Sequence, residues 1–493
     1  MLLLLTALLL TLWFYRANFR DAPLWMLLTY LGIGALVYQD YSSVSTLNDA
    51  FPRILKDFIT LGMIGFVQTL AVNKRISILT AVVITLLLFA AAHFLEEYLP
   101  DEAPGSTASL LVELEEGASP DRLLAYAADH NYTVAPAFAP KLRDETLLDN
   151  YYVLDYPGGD EARISREVLS LGARYTEPNE TIQVEPFIVG ESAGGERRAP
   201  ALSIDDPEAA QQWAIAALDL DAYYRLLARQ RPRKRARIAI LDTGVDARHE
   251  DLRDNYVSTE ARYDNDPQGH GTHCAGIAAG VTNNGIGIGS LAGSGATPFT
   301  ELTSIKVLNA GGMGTQKSIV AGIIEAVDEG VDVISLSLGG ISNQSRQRAY
   351  SQAVKYATDH GAIVVAAAGN SNRRAVDYAP ANAEGIITVA AVDPLLLRAP
   401  FSNRTDGIAR ALAAPGVDIF STTPDNNYRA YSGTSMACPF VAGLLGTLRS
   451  LDPELTAAEA YELLHDTGRR TNETRVTGRI VQPAAALERL LNR

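Results

Sequence analysis

Gly433-Thr-Ser-Met-Ala-Cys-Pro-Phe-Val-Ala-Gly443 sets Ser435 between a glycine-led turn and an apolar run that continues in helical spacing to Leu448. A serine hydroxyl is a weak nucleophile unless a neighbouring base takes its proton, and that base needs an orienting carboxylate. The chain offers both. Ile238-Ala-Ile-Leu-Asp-Thr-Gly-Val-Asp246 is a buried-strand pattern that runs into Asp242, and Gly269-His-Gly-Thr-His-Cys-Ala-Gly276 puts His270 between glycines at a helix start. Asp, His, Ser is one of the chain orders in which such triads occur.

Around these motifs, short β-rich runs alternate with helical patterns. Strands are expected over 303–308, 331–338 and 362–368, with helices over 317–329 and 346–360. That alternation predicts a parallel sheet with crossover helices, an architecture that gathers functional groups at strand ends and helix starts.

With the three motifs together, residues 205–493 resemble the subtilisin-like serine proteases. The resemblance implies an α/β fold with helices on both faces of a parallel sheet, and serine endopeptidase activity on proteins or peptides. Ala366-Ala-Ala-Gly-Asn370 is similar to the oxyanion-hole segment of that family, which gives Asn370 a role beside Asp242, His270 and Ser435. Gly312-Met313-Gly314 and Ser337-Leu338-Gly339 look like the two segments that sandwich a substrate laid down as an added β-strand. The alternative is that both are glycine-rich turns after strands. The family has His where this chain has Phe440, which implies different packing behind Ser435.

No cofactor is implied for catalysis. A structural calcium ion is, through the loop Val281-Thr-Asn-Asn-Gly-Ile-Gly-Ile288, with Asp251, Asn283 and Gln211 or Gln212 near the matching ligand positions and hard oxygens suited to that ion. The loop carries one residue more than the usual pattern, and Gly287-Ile-Gly-Ser-Leu-Ala292 is a lone dinucleotide-type fingerprint without the unit that would give it meaning.

Composition adds bounds. A net charge of -15 argues against a nucleic-acid partner, and two cysteines, Cys274 and Cys438, make no disulfide framework. Both read as buried small hydrophobes on helices. The basic stretch 229–237 reads as a solvated loop before a strand, with an anionic-lipid contact or a nick site as the alternative.

The first 99 residues are read as an all-α membrane anchor, with apolar runs at 1–15, 24–38, 58–72 and 76–95. Only the last has the length of an upright span. The first lacks the basic start and small-residue cleavage site of a signal peptide. Arg16, Arg20, Lys74 and Arg75 flank the first and fourth runs, and Glu96, Glu97, Asp101 and Glu102 follow the fourth. Against the dissent of Arg53 and Lys56, that asymmetry predicts a multi-pass protein whose remainder is extracytoplasmic.

Residues 106–189 outline strand-helix-strand twice, which resembles the ferredoxin-like propeptide of subtilases, with a generic adaptor domain as the alternative. Gly/Arg-rich 190–204 reads as linker, and 205–493 as the catalytic domain. This order predicts that the chain cuts itself, intramolecularly, between about Pro186 and Gln211. An inactive protease fold serving as a peptide-binding module is the competing function; all four catalytic positions are filled, which argues against it.

Overall fold

The computed structural model describes residues 107–142, 146–158, 160–184, 188–189, 203–292, 297–342 and 347–493, with helical positions before them at 6, 28–29, 31–33, 61, 64, 67 and 84. The reading of four membrane spans, and that of 190–202 as linker, fall outside the described residues. Among the described residues no helix is long and apolar enough to cross a membrane. The chain divides into two compact units, 1–108 with 156–161 and 109–155 with 162–493, and the second carries the site.

Within 107–178 the order is β1 (Thr107–Leu114), α1 (Asp121–His130), β2 (Thr133–Pro136), β3 (Tyr151–Pro157), α2 (Glu161–Ser170) and β4 (Ala173–Pro178). The strands lie in the order β2-β3-β1-β4, with β1/β4 and β2/β3 antiparallel, which is the ferredoxin-like arrangement. Two short strands follow, β5 (Thr181–Gln183) and β6 (Ile188–Val189).

The larger sheet takes β7 (Ala236–Asp242), then, after α3 (His270–Ala279), β8 (Thr300–Lys306). Next come β9 (Met313–Thr315), which lies outside this sheet, and α4 (Gln316–Asp328), then β10 (Val333–Leu336), α5 (Arg348–Asp359), β11 (Ile363–Ala367), β12 (Ile387–Val392) and β13 (Ala411–Pro415). After β14 (Ile419–Thr423), β15 (Asn427–Ser432) and the long α6 (Thr434–Leu451), the sheet closes with β16 (Arg479–Ile480). Its seven strands run β16-β13-β12-β11-β10-β7-β8, and every ladder is parallel.

A parallel sheet is covered on both faces, so its strands are apolar throughout rather than alternating. β7 follows that rule. Ile238 and Ile240 join the apolar cluster around α6, while Ala239 and Leu241 join the cluster around α4 and α5 on the opposite face. All eighteen residues of α6 are buried. That is the pattern of a helix threaded through a core rather than laid on its surface.

The small sheet packs on α4 and α5. Leu111, Phe138 and Tyr151 share a cluster with Ile319, Ile323 and Tyr350. Inside that contact Glu113, 0% exposed, accepts from Arg348 Nε at 2.6 Å and from the Tyr151 hydroxyl at 3.1 Å. A buried carboxylate with both partners in place avoids most of its desolvation penalty. Gln347 precedes the first turn of α5, and its side chain makes no cap. Glu177 supplies one from the other domain, its carboxylate accepting the N–H of Arg348 at 2.9 Å and of Ala349 at 2.8 Å. Asn179 Oδ1 and the Glu180 carbonyl do the same for Lys317 and Gln316 in the first turn of α4, each at 2.8 Å.

Burial pushes the Glu177 carboxyl up to about 7 against the pull of those two N–H groups, with Glu180 and Glu113 adding to the rise. A raised carboxyl is charged at a penalty above its docked pKa and relieved of that penalty as pH falls toward the ordinary glutamate range. The small domain should therefore grip harder as pH drops from 8 to 5, by at most about tenfold per pH unit, the slope of one proton. Hydrogen exchange at 173–180, corrected for its intrinsic pH dependence, should show this, and Glu177→Gln should flatten it. A wild-type profile already flat across that range rules the switch out.

Candidate active site

β7 ends at Asp242, and the backbone carbonyl of Asp242 accepts the N–H of Val307 and Leu308 at 3.0 and 3.1 Å, which pins the strand end beside β8. The side chain turns to α3. His270 Nδ1 lies 2.9 Å from Asp242 Oδ1 and 3.0 Å from Oδ2, and Thr243 N–H donates to Oδ1 at 2.8 Å. A carboxylate at Nδ1 fixes the tautomer with its proton there and leaves Nε2 as the basic nitrogen. His270 opens α3 because Gly269, at φ +91, makes the turn that a side chain would strain, and Gly271 follows because a Cβ there would meet the Gly244 carbonyl at 2.1 Å.

His270, Asp242 and Ser435 are each 0% exposed. Burial pushes the imidazolium down, but Asp242 beside it more than offsets this, and His270 is held well above the ordinary histidine range. A base works only once it is neutral. Reaction at Ser435, read as fluorophosphonate labelling rate, should thus climb with pH through an apparent pKa above about 6.5. Asp242→Asn should move that pKa down, and a rate independent of pH from 6 to 10 would remove His270 from the reaction.

Ser435 sits in the first turn of α6, and its local geometry follows from Pro439. A proline inside a helix gives no N–H to the carbonyl four residues back. That carbonyl is Ser435's own, and it accepts from Ser337 Oγ at 2.9 Å and Cys274 Sγ at 3.4 Å instead. The Ser435 hydroxyl donates to the Ser337 carbonyl at 3.2 Å. Behind it Phe440, 4% exposed, packs in the same apolar cluster as Met436 and Val441. Asn370 lies next door. Its Oδ1 accepts both the N–H and the Oγ1 of Thr434 at 2.8 Å, which turns the amide NH2 the other way.

The two expected substrate segments hold a strand of this same chain. Met313–Thr315 pairs antiparallel with Thr181–Gln183, Gln183 exchanges backbone hydrogen bonds with Gly339 at 3.3 and 3.1 Å, and Val184 N–H donates to the Gly312 carbonyl at 2.8 Å. Beyond it, Ile188 and Val189 pair with Ser432 and Tyr431. Gly314 lies where a Cβ would meet the Val307 carbonyl at 2.5 Å, so only glycine lets β9 approach this closely. Ile182 is 0% exposed and Leu338 is likewise buried.

The oxygen cluster around Asp251 differs from the expected ligand set. Asn283 has its side-chain oxygen turned to Asp205 N–H at 3.0 Å, and its neighbour Asn284 is the residue that reaches Asp251, at 3.0 Å. Gln212 binds both backbone groups of Gly289, and Gln211 reaches Glu208. Sequence reading passed over Asp206, whose carboxylate accepts Asn283 and Asn284 N–H at 2.9 and 3.1 Å. Burial pushes Asp206 up to about 6 and Asp251 up to about 8, the latter further raised by Asp206 nearby. Two buried carboxylates and amide oxygens form a hard donor set that fits a calcium ion, which would reverse both shifts.

Cys274 and Cys438 are buried on α3 and α6, and burial pushes both thiols up. Half the basic stretch is structural. Lys234 pairs with Asp332 at 2.5 Å, Arg237 with Glu301 at 2.6 Å, and Arg235 donates to the Thr300 carbonyl.

A hydroxyl at a helix start, a buried imidazole held by a carboxylate, and an oriented amide donor make up the equipment of acyl transfer. The family model described as Subtilase family (peptidase S8) matches residues 233–481. The chain is a subtilase. It is 47% identical over 221 residues to thermitase of Thermoactinomyces vulgaris, a match covering 44% of this chain and 75% of that one. Subtilisin DY of Bacillus licheniformis is 42% identical over 239 residues, covering 47% and 82%. Among solved structures, a protease of Pseudoalteromonas arctica PAMC 21717 superposes with a TM-score of 0.52 at 28% identity, covering 58% of this chain and 99% of that one. This subtilase is a serine endopeptidase of the subtilisin type.

Proposed function

We propose that Ser435 attacks the scissile carbonyl, His270 takes its proton and returns it to the leaving amine, Asp242 stabilises the imidazolium, and Asn370 with the Ser435 N–H binds the oxyanion. The observation that carries this is the carboxylate–imidazole contact at 2.9 Å with Asn370 locked on Thr434, next to the serine. Substrate lies as a strand between Gly312-Met313-Gly314 and Ser337-Leu338-Gly339, the place that residues 181–184 take in the intact chain. Fluorophosphonate labelling of the full chain followed by peptide mass mapping should find Ser435 modified and no other serine; modification elsewhere would reassign the nucleophile.

The enzyme is anchored in the membrane by residues 1–99 with its catalytic domain outside the cytoplasm. Support comes from the four apolar runs and the basic residues on one side of them. Reporter fusions after residue 105 should score as extracytoplasmic and fusions near Asn73 as cytoplasmic; the reverse pattern would sink this localisation. Residues 106–189 act as propeptide-like inhibitor, and the chain cuts itself, intramolecularly, between about Pro186 and Gln211; the order of propeptide-like domain, Gly/Arg-rich linker and catalytic domain supports this. Asp206, Asp251 and Asn284 would hold a structural calcium ion that ties 205–206 to the loop after α3.

A further inference from the structure

The strands and helices of the catalytic domain bury their apolar side chains, and one loop does the opposite. After β12 the chain reads Asp393-Pro-Leu-Leu-Leu-Arg398, and Leu395 and Leu397 stand 78% and 48% exposed. A lone exposed leucine is ordinary on a protein surface. These two share one turn, and the turn is held. Asp393 Oδ1 accepts the N–H of Leu395 at 2.9 Å and of Leu397 at 3.0 Å, and the Asp393 carbonyl accepts that of Leu396 at 2.8 Å. Asp393 N–H donates to the Leu397 carbonyl at 2.9 Å. Between the exposed pair, Leu396 sits at φ +61 and packs back on the apolar cluster around α6. That backbone region suits glycine or asparagine, and a leucine held there is strained. The loop gives up stability to keep a leucine at its centre while its two neighbours face away from the protein's own core.

The surface around the loop is basic, in a chain whose net charge is -15. Segment 398–405 is laced to two others. Arg404 N–H donates to the Arg373 carbonyl at 2.7 Å, Ala375 N–H to the Arg404 carbonyl at 2.8 Å, and Thr405 N–H to the Val476 carbonyl at 2.9 Å. These segments expose Arg373, Arg374, Arg404 and Arg475, with Arg470 just ahead of the last. The carboxylates among them are engaged. Arg374 and Arg404 share Asp406, at 3.8 and 3.7 Å, Glu473 accepts the N–H of Arg398 at 2.6 Å, and Asp393 closes the turn. An apolar tip with a cationic rim is the result.

We infer that this face of the catalytic domain docks on an anionic lipid bilayer, with Leu395 and Leu397 entering the headgroup boundary and the arginines meeting lipid phosphates. A few apolar side chains bind a bilayer weakly and reversibly, and a second, electrostatic attraction makes such contacts persist. Charge and shape together select this partner. Guanidinium forks match phosphate oxygens, and a convex tip enters a fluid layer without the fitted hollow that a folded protein would have to supply. The contact also orients the enzyme. The loop leaves the C-terminal end of β12, and Asp242 lies at the C-terminal end of β7 in the same parallel sheet, with β11 and β10 between them. At the usual strand spacing that is about 14 Å. Docked this way, the domain keeps its cleft near the bilayer, within reach of extended polypeptide at the lipid surface. The inference goes beyond the anchor proposed for residues 1–99 and needs no part of it.

The test uses the full chain in vesicles, on a Ser435→Ala background so that it stays in one piece. An environment-sensitive fluorophore is placed on Leu395→Cys, where labelling is selective because Cys274 and Cys438 are buried. A control fluorophore is placed on Ala228→Cys, an exposed position that precedes the opposite end of β7. In vesicles containing phosphatidylglycerol the probe at 395 should shift to the blue and be quenched by brominated acyl chains, while the probe at 228 stays in water. Pure phosphatidylcholine or high salt should remove most of that quenching. Arg470→Gln and Arg475→Gln should lower the docked-to-undocked ratio roughly fivefold each, and Leu397→Asp should abolish docking. A probe at 395 that stays in water on anionic vesicles overturns the proposal. Equal quenching in pure phosphatidylcholine overturns the role of the arginines, and equal quenching of both probes overturns the orientation. A blue shift that brominated lipid does not quench, and that grows with protein density, puts a second copy of the chain on the loop and overturns lipid as the partner.

Discussion

Ser435→Ala should leave a protein that folds and docks its small domain as before, yet turns over peptide at a rate lower by a factor on the order of a million, a magnitude taken from subtilisin itself rather than from this geometry. The fold should survive because the hydroxyl makes one neutral hydrogen bond, to the Ser337 carbonyl, while the structural contacts of Ser435 run through its own carbonyl to Ser337 Oγ and Cys274. Removing one oxygen from a packed site leaves little to collapse. The measurement is kcat on a fluorogenic peptide, made in the Ile182→Asp background so that the cleft is open, with circular dichroism as the check on folding. Turnover within tenfold of the parent would mean that another group does the chemistry.

Asn370→Ala should lower kcat by roughly a hundred- to thousandfold with KM little changed, again a range known from subtilisin. Alanine also strips Thr434 of the acceptor for its N–H and Oγ1, which costs about 1–3 kcal/mol and could shift the nucleophile indirectly. Asn370→Asp separates the two effects. It keeps an oxygen for Thr434 and loses the NH2 donor, so it should hold stability and still lack the rate. Recovery of kcat by Asp would mean that Asn370 positions Thr434 and does not stabilise the transition state.

The parts of the fold that were legible in the sequence are those with strong periodicity or a motif. Strands at 333–336 and 363–367 and helices at 316–328 and 348–359 lie within a few residues of the expected bounds, because continuous β-branched runs and 3.6-residue spacing are local signals. The short β2, Thr133–Pro136, was implied by the outline but had no signal of its own, being a mostly exposed strand that ends in proline. Around the site, the residues that touch the reacting groups sit in motifs, whereas those that hold them are spread through the chain. Thr434 was on view in the quoted stretch but its hold on Asn370 was not. Nothing in Asp206 or Asp251 taken alone tells that both reach Asn284, since residues 33 and 78 positions apart converge only through the fold. The seating of 181–184 between two glycine segments is likewise a matter of long-range register.

The cap that Glu177 lends to α5 has a bearing on the order in which the molecule is built. Synthesis runs from the N-terminus, so β4 exists before the helix that needs it. A central parallel sheet with crossover helices closes long loops before its contacts form, which is slow. A preformed edge that offers Glu113 to Arg348, and a carboxylate to the two open N–H groups of Arg348 and Ala349, supplies a landing place for α5 while the rest of the sheet is still being assembled. Once the strands have locked around α6, water can take over those two N–H groups at a cost of about 1 kcal/mol. The small domain thus meets the catalytic domain at two places, the start of α5 and the cleft along which residues 181–184 lie.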